Sequence, residues 1–196
     1  LAAACPGLEF VNLAVPGATS TSLIAVQLQP ALTLIGDRNG DADAENDVIL
    51  ITLTIGGNDL VNPVFAACSA GVTPECVQTV QSIFTTYAAN LAVILGSLRN
   101  AAGPDTQIVV MTYDNPLGSC FRAPLEPLAD LLLEGGTGFP VGYNDIIRSV
   151  AAAFQVDVAD TFGQLEPDDW LGGNDCTHPD ISGHHKIAEI FLDVIA

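Results

Sequence analysis

The chain has 196 residues, 49% of them hydrophobic, with a mean hydropathy of +0.41, which excludes a disordered polymer and predicts one domain, 1–196, built on a single core. Five Lys+Arg against 23 Asp+Glu give a formal net charge of −18, which repels phosphate backbones and anionic lipid surfaces and excludes nucleic acid as a partner. No apolar run reaches the roughly eighteen residues that would predict a transmembrane segment, and no basic stretch leads into an apolar one at the start, so any signal peptide lies outside this sequence.

Taken in order, Leu1–Ala4 ahead of Cys5-Pro6-Gly7 reads as the last turn of a helix. Leu8–Val15 reads as a strand that runs into Pro16-Gly17-Ala18-Thr19, a glycine turn whose backbone N–H offers a donor to a developing oxyanion. Ser20 to Leu32 predicts a short helix, with Ser20 and Ser22 capping and lining it; either serine is also a candidate substitute nucleophile. Asp37-Arg38-Asn39-Gly40-Asp41-Ala42-Asp43 has the alternating oxygens of a calcium loop but breaks the EF-hand pattern at Ala42 and Val48, and reads as a solvated acidic loop.

Val48 to Ile55 is an uninterrupted apolar, β-branched run, the pattern of a parallel strand buried on both faces, and it stops at Gly56-Gly57-Asn58-Asp59, where the Asn amide is a second candidate oxyanion donor. Pro74 to Asn100 carries Val77, Val80, Phe84, Tyr87, Leu91, Ile94 and Leu98 at the three-and-four spacing of a long amphipathic helix. Gln107–Tyr113 is the next strand, completing a right-handed βαβ crossover. The Pro- and Gly-dense stretch 119–143 predicts loop with one short helix near Leu128–Leu133, placed to form a wall of an acyl pocket. Asn144 then caps a helix, Val156–Asp160 forms the last strand, and Ser182-Gly183 opens a final helix to Val194 with the exposed His184 and His185 in its first turn. Asp160 at the end of that last strand reads as structural.

Between that strand and that helix lies Asp175-Cys176-Thr177-His178-Pro179. A carboxylate three residues before a histidine can hold the imidazole in the tautomer that takes a nucleophile's proton. Alone, D-x-x-H equally describes an incidental loop histidine; the Gly17 turn and the Asn58 strand end make the combination far more specific. Together these stretches resemble the SGNH (GDSL-type) hydrolases, a family of esterases and lipases: Gly17 in VNLAVPGATS and Asn58 in TIGGND match the family's oxyanion donors, and Asp175 and His178 in DCTHPDISGHHKIA its acid and base. The resemblance implies a three-layer α/β/α fold on a parallel, flavodoxin-like sheet of order 2-1-3-4-5, with all four residues on the rim at the carboxyl ends of the strands. It also implies serine-dependent hydrolysis of a small-molecule or lipid ester, with no cofactor.

The family's opening strand, which ends in Gly-Asp-Ser and carries the nucleophile, has no counterpart here: none of the sixteen residues before Gly17 is serine, and no relocated copy occurs at the C-terminus. The first central strand therefore reads as missing and the chain as N-terminally truncated relative to the family. Unpaired backbone at that gap predicts homo-oligomerisation by strand pairing. Three readings compete: a fragment of an ordinary secreted esterase, a shortened enzyme in which another serine or a water activated by His178 takes the nucleophile's place, and a non-catalytic binding protein that keeps the scaffold.

Five cysteines in so short a chain point to an oxidising compartment, hence secretion. The acidity fits a secreted enzyme or halophilic adaptation. Cys68 and Cys76 bracket a turn-rich loop that a disulfide would close, and Cys120 with Cys176 would tie the loop after a strand to the loop of His178. Cys5 is left over, either with a partner upstream or as a free buried thiol. Metal ligation is a poor alternative, since no C-x-x-C occurs and the three histidines sit together at 178, 184 and 185.

Overall fold

The computed structural model describes residues 8–69 and 71–195. The helix end read at Leu1–Ala4, and Cys5, lie outside them. The described chain is mixed α/β around a parallel sheet of three strands in the order β1-β2-β3: β1 (Leu50–Leu53), β2 (Gln107–Met111) and β3 (Asp157–Ala159). These are the last three neighbours of the expected 2-1-3-4-5 order. The chain divides into two compact units, one comprising residues 8–10, Val109–Ser149 and 157–195, the other Val11–Ile108 and Val150–Val156.

The second unit is organised on one long helix. Thr73 accepts a hydrogen bond from Cys76 N–H, Pro74 takes the first helical position, and α4 runs Pro74–Ala102 until Gly103, at φ +77°, ends it. By length and hydropathy alone α4 is apolar enough to cross a membrane, which qualifies the expectation that no such stretch exists. Its stripe of Val80, Phe84, Tyr87, Leu91, Ile94 and Leu98, however, is buried against α1 (Ser20–Val26), α2 (Leu28–Asn39) and α3 (Gly57–Ala67). This is the predicted amphipathic helix, and packing accounts for its aromatic residues. Tyr87, fully buried, donates its hydroxyl to the Ile55 carbonyl just past β1 at 2.8 Å, so the polar tip of the ring is satisfied. Arg99, in the last turn of α4, donates to the carbonyls of Gly103, Thr106, Phe154 and Gln155, supplying a cation where the helix carbonyls run out.

Two sequence expectations change here. The run Leu8–Val15 forms no strand; its residues are exposed, with Phe10 68% and Val15 50% accessible. A strand needs a neighbour for its N–H and C=O groups, and no described strand lies beside this run. For the same reason β1 is an edge strand of only four residues, three half-buried and Thr52 exposed, rather than a doubly covered one, and Ile49 ahead of it is 54% exposed. The Gly56–Asp59 stretch at which the strand run stops is the cap and first turn of α3, and Asp37–Asn39 of the acidic stretch belong to the last turn of α2.

In the first unit β2 and β3 pair in parallel, Val109 against Asp157 and Met111 against Ala159. Beyond the ladder the pairing continues through side chains: Thr112 Oγ1 donates to Asp160, and Thr161 Oγ1 to the Thr112 carbonyl, both at 2.8 Å. Burial alone would push the Asp160 carboxyl up, but hydrogen bonds from Arg148 and Thr112 outweigh it and hold it below the ordinary carboxylate value. Arg148, on α6 (Tyr143–Ala153), is pinned between Asp160 and Glu134, and both raise its pKa further. Asn144, expected as a helix cap, is fully buried and receives the Tyr113 N–H while donating to the Tyr113 carbonyl and to Glu134. The short helix α5 (Glu126–Glu134) covers the expected stretch, and α7 (Ile181–Val194), capped by Asp180, packs on β3.

Candidate active site

Asp175 builds its own turn before it meets the histidine. One carboxylate oxygen accepts the backbone N–H groups of Thr177 and His178, both at 2.9 Å, the geometry of an Asx turn. The other oxygen lies 2.9 Å from His178 Nδ1. The hydrogen bond from His178, then those from the Thr177 and His178 backbone, hold the Asp175 carboxyl down at about 2, against the smaller opposing effect of burial. With Nδ1 committed to the acid, the ring presents Nε2 outward, and the side chain is 71% exposed. Thr177 Oγ1, 3.1 Å from Nδ1 and 3.3 Å from Asp175, braces the pair; the sequence signal was a threonine in the x position of D-x-x-H, which was passed over.

Several restraints hold this loop. Cys176, buried between Asp175 and Thr177, is bonded to Cys120, the pairing expected from the sequence. Cys120 also pairs in parallel with Gly173, and Phe121 N–H reaches the Gly173 carbonyl at 3.2 Å. On the far side Trp170 bridges Pro179 in antiparallel fashion, with Leu171 N–H on the His178 carbonyl at 3.0 Å. Asp169 before it is buried and paired with Lys186 of α7. Hydrogen bonds from Lys186 and from the Glu166 backbone lower the Asp169 pKa, and the same ion pair raises that of Lys186.

In the other unit Gly17 and Asn58 come together. Ala18 N–H returns to the Val15 carbonyl at 3.2 Å and Gly17 sits at φ +78°, so Pro16 and Gly17 are the two central residues of a type II turn, where only glycine is unstrained at the second. Asn58, in the first turn of α3, donates one amide hydrogen to the Ala18 carbonyl at 3.1 Å, which leaves its second for a ligand. No hydrogen bond among the described residues uses the Gly17 N–H.

The two candidate serines are otherwise engaged. Ser20, fully buried, donates to Asp59 and accepts from Asn90 of α4 at 2.9 Å; Ser22 closes a reciprocal cap with Thr19 at the start of α1. Asp59 and Asn90 were missed by sequence reasoning, because their partner is forty to seventy residues away. Cys68 and Cys76 are disulfide-bonded as expected. His184 and His185 are exposed on α7. Both Asp41 oxygens accept, from Asp43 N–H and the Asn46 amide, and one Asp43 oxygen accepts Glu45 N–H; among the described residues no group of three or more His, Cys, Asp or Glu is placed to hold a metal ion.

No curated protein matches the chain. Among solved structures it is similar to a gut microbial diltiazem-metabolizing enzyme, at 17% identity and a TM-score of 0.51, over 91% of this chain and 37% of that one. At that identity the likeness shows the fold, and the chain spans little more than a third of that enzyme. The model of the GDSL-like lipase/acylhydrolase family matches residues 1–191. With that match running over nearly its whole length, the chain belongs to the GDSL-like lipase/acylhydrolase family.

Proposed function

We propose that this chain carries the acid–base and oxyanion machinery of a secreted carboxylic ester hydrolase acting, as one domain over 1–196, on a small-molecule or lipid ester. The observation that supports this most is the 2.9 Å contact of Asp175 with His178 Nδ1, which leaves Nε2 free to take a proton. In the reaction a serine hydroxyl attacks the ester carbonyl, His178 accepts its proton and later returns it to the leaving alcohol, and Asp175 stabilises the imidazolium. The Gly17 N–H and the Asn58 amide stabilise the tetrahedral oxyanion. The two disulfides fit an oxidising, extracellular setting.

By the family resemblance that serine would come from a Gly-Asp-Ser motif, which does not occur among these 196 residues. Treatment of the purified chain with a fluorophosphonate, with His178→Ala as control and peptide mapping of any product, tests the reading. The expected result is no labelling of the chain as printed, and His178-dependent labelling once a Gly-Asp-Ser strand is added upstream. His178-dependent labelling of a residue such as Ser20 in the chain as printed would instead support a shortened enzyme. A second reading, a binding protein that keeps the scaffold without turnover, is favoured by the full engagement of Ser20 and Ser22; an extended chain that stays unlabelled would support it. The open edge of β1 beside exposed Ile49 also leads us to propose self-association by strand pairing, for which a strict monomer in gel filtration would be the contrary result.

A further inference from the structure

We propose that Leu171, with Phe121 on the segment that pairs with the same loop, is the residue that selects apolar chains at His178: it forms the surface on which the hydrocarbon part of the substrate lies. The inference rests on the ester-hydrolase reading above and adds to it the side chains that meet the substrate's apolar part.

The argument begins with register. Trp170 and Pro179 form an antiparallel bridge flanked by Leu171 N–H on the His178 carbonyl at 3.0 Å and Asp180 N–H on the Asp169 carbonyl at 2.9 Å. That pattern sets Leu171 directly opposite His178. Directly opposed residues in an antiparallel pair point to the same face, with Cβ atoms about 5 Å apart. Trp170 and Pro179, one position along, take the other face and are half-buried. The face shared by Leu171 and His178 is open: Leu171 is 60% exposed and the imidazole 71%.

A single exposed leucine is ordinary. What distinguishes this one is that the adjacent side chain is the proposed base and that a second large apolar group is held at the same loop. After Leu171 the chain turns through Gly172 and Gly173, at φ +66° and +63°. A Cβ on Gly172 would stand 3.0 Å from the Ser119 carbonyl oxygen, so this turn is pressed against the 119–121 segment. There Phe121 N–H binds the Gly173 carbonyl while its ring stays 65% exposed, with the Arg122 guanidinium 5.2 Å from the ring centroid. Leu171 and Phe121 thus border the loop that carries Asp175 and His178, and they leave apolar surface uncovered on a chain of net charge −18. A substrate whose ester lies at Nε2 of His178 would lay its hydrocarbon chain over this surface and remove both from water.

The test is binding, which needs no turnover. The NMR shifts of the His178 ring, on the same face as Leu171, report occupancy, and a titration of each shift gives the binding constant. Methyl butyrate and methyl octanoate are the probes, both uncharged. Contact along one side predicts about tenfold tighter binding of the octanoate, well below the roughly two hundredfold that full burial of four methylenes would give. In Leu171→Ser the two esters are expected to bind within about twofold of each other, and in Phe121→Ser the preference is expected to shrink without vanishing. Leu171 is exposed, so the serine variant is expected to keep its fold, which an unchanged Asp175–His178 titration would show. Equal binding of the two esters by the unsubstituted chain, or a preference that survives in Leu171→Ser, would overturn the proposal. If the preference is present but fluorophosphonate labelling fails in the extended chain, the hydrolase reading falls and the apolar contact stands; labelling without a preference is the reverse.

Discussion

The loop 169–180 and the segment 8–18 are both irregular, both named by sequence motifs, and held very differently. The Asp-His loop has a disulfide through Cys176, an antiparallel bridge on one flank, a parallel bridge on the other, and an internal Asx turn. The segment leading to Gly17 has a β-turn, an asparagine amide on Ala18, and a Gln27 side chain on the Leu13 carbonyl at 3.0 Å, with five large apolar side chains exposed along it. The first loop is restrained both within itself and by the Cys120 segment, 56 residues earlier in the chain. The second has the sequence of a strand and lacks a strand to pair with, so its backbone groups face water.

The comparison can be broken most severely at Asp175. In a chain restored with a Gly-Asp-Ser strand, Asp175→Asn is expected to lower turnover by about four orders of magnitude, because the amide cannot hold the imidazole in the same tautomer. Steady-state kinetics read this, and a loss below tenfold would show that the Asx turn alone orients the ring. Next comes the disulfide brace. Replacing Cys120 and Cys176 by serine opens a closed loop spanning 56 residues and is expected to cost about 4 kcal/mol in chemical denaturation.

Asn58→Ala is expected to reduce turnover of the restored enzyme by two to three orders of magnitude, about 3–4 kcal/mol, with little change in stability since Asn58 is exposed. Replacing Cys68 and Cys76, eight residues apart, is expected to cost about 2.5 kcal/mol, clearly less than the long-range pair. Inverse ranking of the two disulfides would mean that loop entropy does not govern the difference. The smallest effect concerns pH. Because the folded Asp175 carboxyl is held at about 2, below its ordinary 3.8, its contribution to stability is complete above the ordinary value and is lost as pH falls through about 2. Carbonyl-carbon NMR of Asp175 should show that low midpoint, and His178→Ala should raise it, since the hydrogen bond from His178 is the largest cause of the shift.

Elements whose partners lie within a few residues were legible in the sequence. The helix α4 follows from its three-and-four spacing with Thr73-Pro74 at one end and Gly103 at the other, and the Asp175–His178 contact follows from a three-residue separation within one turn. The Cys68–Cys76 disulfide was readable from its short turn-rich loop; Cys120–Cys176 was readable from two cysteines placed on loops, despite lying 56 residues apart. The Pro16-Gly17 turn was equally local, because proline and glycine each dictate their own φ. What only tertiary structure decided was the fate of groups whose partners are distant. Leu8–Val15 and Val48–Ile55 read alike as strands; the second forms β1 because β2 lies beside it, and the first forms none because no described strand does. Ser20 is occupied by Asp59 and Asn90, and Leu171 faces His178, through pairings that leave no trace in local periodicity. A side chain's hydrogen-bonding capacity is fixed by its chemistry, whereas the partner that uses it is fixed by the packing of elements far apart in the chain.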